Sequence, residues 1–403
     1  MNALFNRPFD DIDENDLKNL VDIRKVREYV SLDYKLTSYD HNHDGVVKLL
    51  TDITAMANSR GGNIIIGIEE DSDAADGTPK HLVGIDYGDD EANWIQNICL
   101  TSVDETIIGL LVRDIQLSNE KHCVIIQIPN STKKPHMVVH ENHRSFRIRH
   151  GRSNAIMDMT QVRDMVVSMA AYQESLQSFI QERVTANIDI ANNDPFLLLM
   201  ATPIYLGTEK LDPLQIEYRT LLEKAGGVPD NHYYGISVGK SSPRIYGIEL
   251  VPPFRSGGGI YQQYLRLFRN GHLEYFENYS PEPIVDWPKN PMPIYSYRIA
   301  VTLLHFLKNT SQVYKIAEIT DPIAINLFLG NADSSFILHN PKHRHYLDDP
   351  YIWKDKKLLL DMTINDIDKS NIIASVILDR LFNAYGYEKN VHFTDAKEFI
   401  IQK

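Results

Sequence analysis

The sequence predicts an α+β protein: an N-terminal domain built on a mixed sheet with helices, followed by a second α+β domain. Three observations carry this. Apolar residues make up 43% of the 403 and charged residues 24%, a globular composition with enough apolar surface to bury. That length exceeds what one core fills, since domains centre on about 100–200 residues. Segments of helical period and short apolar or alternating segments also interleave along the chain, as both element types in each domain require.

In order along the chain, residues 16–27 place Leu17, Leu20, Val21 and Ile23 at helical spacing, and residues 29–37 alternate as a strand. Residues 38–45 read as a loop. Over 46–58, Val46, Leu49, Leu50, Ile53 and Met56 share one helical face, and Gly61-Gly62 ends that helix. Residues 63–68 are almost continuously apolar, as in a strand covered on both faces, and lead into an acidic loop up to Pro79. Further strands are predicted over 107–116, 123–128, 136–139 and 145–149, then a helix over 159–176. The polar, aperiodic residues 181–195 read as a linker. This divides the chain into an extension (1–20), a first domain (21–180), the linker and a second domain (196–403). In the last, 196–204, 235–250 and 260–276 read as strand-rich, and 296–308 and 370–384 as helical. Ser256-Gly257-Gly258-Gly259 reads as a mobile turn, because no Lys-Ser or Lys-Thr follows to make a phosphate loop.

Several function classes are disfavoured. The longest apolar runs fall far short of the roughly 20 residues that cross a bilayer, and residues 1–15 carry acids and no apolar core of their own, so a cytoplasmic protein is expected. Cys99 and Cys123 lack a neighbouring thiol and are expected to be buried and reduced. With a net charge of −13, any contact with nucleic acid must be local.

Two constellations can carry chemistry. Asp33 and Lys35 are two apart on a predicted strand and project from one face, with Glu28 just before them. A carboxylate can hold a hard cation such as Mg²⁺ or Mn²⁺, and the ammonium beside it can offset charge on a phosphate. A surface ion pair is the alternative. A cluster of three acids, Glu69, Glu70 and Asp71, also ends the buried strand, where it is either solvated or facing a cation.

The second constellation is basic: Lys133, Lys134, Arg144, Arg147, Arg149 and Arg152, with His136, His140, His143 and His150 among them. Such a concentration on an acidic chain predicts a phosphate-contacting surface. Arg147 and Arg149 alternate with Phe146 and Ile148, so the arginines are expected outward and the apolar pair inward. Along a strand, His136 and His140 would stand about 13 Å apart, which argues against a metal pair. Further on, Tyr233, Tyr234, Tyr261, Tyr264, Phe268, Tyr275, Phe276 and Tyr279 interleave with Arg266 and Arg269. They fit a half-buried sheet better than a base-stacking platform.

A resemblance joins these pieces. A Glu, an acid five residues later, a Lys two further on, Ala57-Asn58-Ser59-Arg60-Gly61-Gly62, an apolar strand ending Gly67-Ile68-Glu69-Glu70, Val83-Gly84, and Arg149-His150-Gly151-Arg152-Ser153 together resemble the Schlafen AlbA-type domain. The resemblance covers roughly residues 22–169. It implies nucleic-acid binding, with RNA favoured over DNA. In Schlafen ribonucleases three carboxylates bind divalent metal and cut structured RNA, notably transfer RNA, and by position their counterparts are Glu28, Asp33 and Glu70, beside Lys35. Two of these depart from the family's usual acids, Asp33 standing for Glu and Glu70 for Asp, with Glu69 and Asp71 competing for the third place. The resemblance therefore implies an endoribonuclease, possible in a bacterial defence or stress response, or else a non-catalytic nucleic-acid-binding regulator with a C-terminal sensor domain. Two such lobes face each other in eukaryotic Schlafen proteins, so a homodimer is expected here.

Overall fold

The computed structural model describes residues 4–5, 9–71, 73–74, 76–86, 88–206, 209–224, 236, 239–251, 262–278, 292–319, 321–338 and 351–401. The chain divides into two compact units, Met1–Gln173 and Glu174–Lys403.

In the first unit, helix α1 (Glu14–Lys18) leads to strand β1 (Leu32–Lys35), helix α2 (His43–Ala57) and strand β2 (Gly62–Ile66). A short hairpin follows, β3 (Ile68–Glu70) and β4 (Pro79–Leu82), then helix α3 (Gly88–Ser102). Strands β5 (Val103–Asp104), β6 (Leu111–Gln116), β7 (His122–Ile128), β8 (Met137–His140), β9 (His143–His150) and β10 (Ser153–Ile156) complete the unit. One sheet has the order β1-β2-β7-β6 and a second the order β10-β9-β8-β5. Because β1 and β2 pair in parallel while β2, β7 and β6 pair antiparallel, the first sheet is mixed, as expected.

Both faces of that sheet are covered. On one, Leu32, Tyr34, Ile65, Cys123 and Ile125 pack against Leu17, Leu20 and Val21. On the other, Ile64, Ile66, Val124 and Ile126 pack against Leu49, Leu50 and Ile53 of α2 and against Ile95 and Cys99 of α3. This accounts for the continuous apolar run in β2. Both cysteines are free and buried, and burial pushes the Cys99 thiol up to about 12.

Helix α4 (Met159–Ala191) carries the chain from the first unit into the second. Residues 181–191 are thus helical, where a linker was expected. The physical reason is that two of its polar side chains, Arg183 and Asn187, face partners in the second unit. Arg183 donates two hydrogen bonds to the fully buried Glu274, at 2.9 and 2.8 Å, and Asn187 is fully buried against the Tyr264 hydroxyl.

The second unit contains β11 (Phe196–Pro203), α5 (Ile216–Glu223), β12 (Ser241–Arg244), β13 (Gly247–Leu250), β14 (Gln263–Phe268), β15 (Leu273–Asn278), β16 (Met292–Tyr295), α6 (Ser296–Ile316), β17 (Ile323–Gly330), β18 (Ser335–Leu338), β19 (Lys357–Ile364) and α7 (Ser370–Ala384). Its main sheet runs β12-β13-β14-β15-β11-β17-β19. Leu197, Leu199 and Ala201 face α6 and α7, while Phe196, Leu198 and Met200 pack with Val184 and Ala191 of α4. Tyr264, Phe268, Tyr275 and Phe276 are buried, as a core sheet requires. Tyr233, Tyr234, Tyr261, Tyr279 and Ser256–Gly259 lie outside the described residues. Among those described, no helix is long and apolar enough to cross a membrane.

Candidate functional site

The site begins with strand parity. Asp33 pairs with Ile64 and Lys35 with Ile66, so both polar side chains lie on the sheet face covered by α2. There Asp33 is almost fully buried. Its carboxylate accepts a hydrogen bond from Arg149 Nη2 at 2.9 Å and pairs with Lys35 Nζ. Lys35 Nζ also lies 3.8 Å from Asp52 Oδ2 on α2. Burial works against the Lys35 charge, but Asp33 and Asp52 outweigh it and hold its pKa above the usual value. Asp52 in turn accepts from Tyr39 Oη at 2.8 Å and from Asn154 Nδ2 at 2.6 Å. Burial raises the Asp52 carboxyl, with Lys35 the main counterweight. Tyr39, pushed far above its ordinary value by burial and then by Asp52, stays a neutral donor.

Arg149 and Asn154 arrive together because β9 and β10 pair them directly, which puts both side chains on the inward face. The turn after α2 sets that approach. Asn58 Nδ2 donates to the carbonyls of His136 and Arg147, both at 2.8 Å, while its Oδ1 accepts from His136 N at 2.6 Å. Ser59 Oγ exchanges hydrogen bonds with the Arg149 backbone, at 3.1 and 3.0 Å. The two glycines are steric necessities. A Cβ on Gly62 would stand 2.2 Å from Ser31 O, and one on Gly61, whose φ is +69°, would stand 2.5 Å from Ile128 O.

At the more exposed end of the site, Glu28 Oε1 accepts from Tyr34 N at 2.6 Å and Oε2 from Arg152 Nε at 3.1 Å. Arg152 Nη2 also lies 3.6 Å from Glu70 Oε2, so this guanidinium bridges the two acids. Arg152 is 40% exposed and Glu28 only 6%. Partial burial and then Glu28 raise the Glu70 pKa, Arg152 and Lys35 pull it back, and Asp33 raises it further. Glu28, Asp33, Lys35 and Glu70 therefore share one electrostatic neighbourhood. Of the competing acids, Glu69 pairs across the hairpin with His81, and Asp71 accepts from Asp73 N in its own turn.

Not every expected residue is placed as the sequence suggested. Arg149 is buried and spent on Asp33, so it is not an outward phosphate contact. The arginine face of β9 is the face that packs inward, and Phe146 and Ile148 are only half-buried. Lys134 donates to Ser59 O at 2.7 Å and to Asn130 Oδ1 at 2.8 Å. Arg147 is half-buried and donates to Ser145 Oγ at 3.0 Å. Lys133 and Arg144 are exposed. His136 is fully buried, and burial lowers its pKa.

Four residues of this neighbourhood were not singled out from the sequence: Asp52, Tyr39, Asn154 and the exposed Arg60. Asp52 is the one charged position among buried neighbours late in α2, which was a readable signal. Arg60 stands in the turn whose Ser59 carbonyl receives Lys134, beside the basic segment.

The donor set can be tested against a hard cation. Carboxylate oxygens suit Mg²⁺ or Mn²⁺, and Glu28 and Glu70 already hold a cationic group between them. Asp33 is turned to Arg149 and Lys35. Glu28 and Glu70 are thus the residues that fit an ion, which would take the place of the Arg152 guanidinium.

Residues 28–158 match the family model described as Schlafen, AlbA_2. That match covers less than half of the chain and none of the second unit. No curated protein matches the chain.

Proposed function

From the premise that residues 28–158 form a Schlafen AlbA_2 domain, a nucleic-acid-binding family, we propose that this domain binds RNA and cleaves it with Mg²⁺ or Mn²⁺ as a structured-RNA endoribonuclease. The supporting observation is the bridge Glu28–Arg152–Glu70 beside Lys35 and Asp33: two acids converge on a cation at the exposed end of a cluster whose other acids, Asp33 and Asp52, are buried. Glu28 and Glu70 would hold a divalent ion there, and its chemistry would be Lewis acidity toward the phosphate. Lys35 offsets charge on that phosphate, Asp33 and Asp52 hold the ammonium in place, and Arg60, Lys133 and Arg144 contact neighbouring phosphates.

The same ion pairs favour a second reading. Arg149, Lys35 and Arg152 already neutralise most of the acids, as a purely structural network would, and the domain then binds nucleic acid without cutting it. A homodimer, supported by the family resemblance and by the exposed apolar residues Ile156, Met159, Val166 and Val167, brings two such lobes together in either case. Light scattering at assay concentration reads the dimer directly. Purified protein incubated with transfer RNA, ribosomal RNA and single- and double-stranded DNA, with Mn²⁺ and with chelator, separates the readings. Metal-dependent RNA fragments support the nuclease, and salt-sensitive binding with no fragments in any metal supports the binder.

A further inference from the structure

The turn joining β8 to β9 gathers three donor groups that the acid cluster does not use. His43 is the first residue of α2, His140 ends β8, and Glu141 opens the turn. His43 Nδ1 lies 2.9 Å from Glu141 Oε2. The rings of His43 and His140 stack with centroids 5.4 Å apart and 27° between planes. One donor atom from each of the three lies within 4.8 Å of the other two.

We propose that His43, His140 and Glu141 form a binding site for a zinc-class divalent transition metal, with a fourth position open to water. Tetrahedral bonds of about 2.0–2.1 Å put donor atoms about 3.3 Å apart, so modest side-chain rotation closes the set around an ion. His43 and Glu141 are exposed and His140 half-buried, which leaves that rotation unhindered.

Donor chemistry sets this site apart from the acid cluster. Two imidazoles with one carboxylate suit Zn²⁺ or Co²⁺, whereas all-oxygen sets suit Mg²⁺ and Mn²⁺. His43 and Asp52 are nine residues apart on α2, about 13 Å along its axis, so the two sites are separate. Glu141 adopts a left-handed backbone, φ +47°, which a glutamate takes less readily than Asn, Asp or Gly. In that conformation its carboxylate meets His43. The neighbouring Arg144 donates to the carbonyls of Glu141 and His143, both at 2.8 Å, and His143 bonds Ser145 Oγ at 2.8 Å. A bound ion would clamp the β8–β9 hairpin to the start of α2.

The test is a Co²⁺ titration of the untagged full chain after chelator treatment, read by visible absorption and followed by displacement with Zn²⁺. The expected result is one tetrahedral Co²⁺ per chain that Zn²⁺ displaces. His140→Ala and Glu141→Gln should each weaken binding by at least about tenfold while circular dichroism is unchanged. Glu141 lies on an exposed turn, so its variant guards against a folding failure. Glu70→Gln should titrate as the parent chain does, which keeps failure here distinct from failure of the nuclease reading. Absence of a tetrahedral spectrum, parental affinity in both ligand variants, or loss of the ion in Glu70→Gln overturns the proposal.

Discussion

Replacing Asp33 by alanine should destabilise the first unit before it says anything about catalysis. The side chains of Asp33 and Arg149 are 7% and 1% exposed, so removing the carboxylate strands a guanidinium in the interior, with Leu32 O at 3.4 Å as a long remaining contact. Removing one partner of a buried ion pair costs about 3–5 kcal/mol. Lys35 loses less, because Asp52 remains near it. For a domain of this size each kcal/mol moves the midpoint by about 2–4 °C, so the unit should melt about 6–20 °C lower. The double variant Asp33→Ala with Arg149→Met buries no charge at the pair and should recover part of that loss. Thermal unfolding by circular dichroism measures the shift, and amide hydrogen exchange in β1 and β9 localises it. A shift under about 2 °C in Asp33→Ala, or a double variant less stable than the summed singles, would refute the argument.

Asn58→Ala removes the hydrogen bonds that tie the end of α2 to the backbone of His136 and Arg147. It should cost about 2–4 kcal/mol, checked by urea unfolding. The raised Glu70 pKa means that the folded state holds this proton more tightly than the unfolded chain does, so its contribution is fully present below the ordinary carboxylate pKa and is lost as pH rises through the folded value. Glu70→Gln should therefore gain stability relative to the parent chain between pH 4 and pH 7, and a gap that narrows over that range would contradict the assignment. Alanine at Lys133 or Arg144 should weaken RNA binding evenly across sequences and lower the log–log salt slope by about 1 per residue.

Local pattern made much of the first unit readable. The apolar face of α2, the glycine stop and the doubly covered β2 all follow from period and composition, and the Asn58-to-Gly62 turn proves to be the hinge that places β9. What stayed hidden depends on partners distant in sequence. Alternation showed that Arg147 and Arg149 share a face, but not that this face turns inward, because the compensating Asp33 lies 116 residues away. Residues 181–191 hid their helix because Arg183 and Asn187 meet Glu274 and Tyr264, which lie 91 and 77 residues further along the chain. Helix α3 was missed for a similar reason: Ala92, Ile95 and Cys99 make a short apolar stripe among many polar residues. The convergence of His43 on His140 is likewise tertiary, and no spacing in the sequence reveals it.

Glu70 is the decisive residue, since it is one-third exposed and its replacement spares the buried pairs. Cleavage of transfer RNA in Mn²⁺ should be compared between the parent chain and Glu70→Gln at protein concentrations where both are saturated with RNA. The account predicts that Glu70→Gln binds as the parent does and cuts at least about a hundredfold more slowly. Equal cleavage rates at matched binding would contradict it.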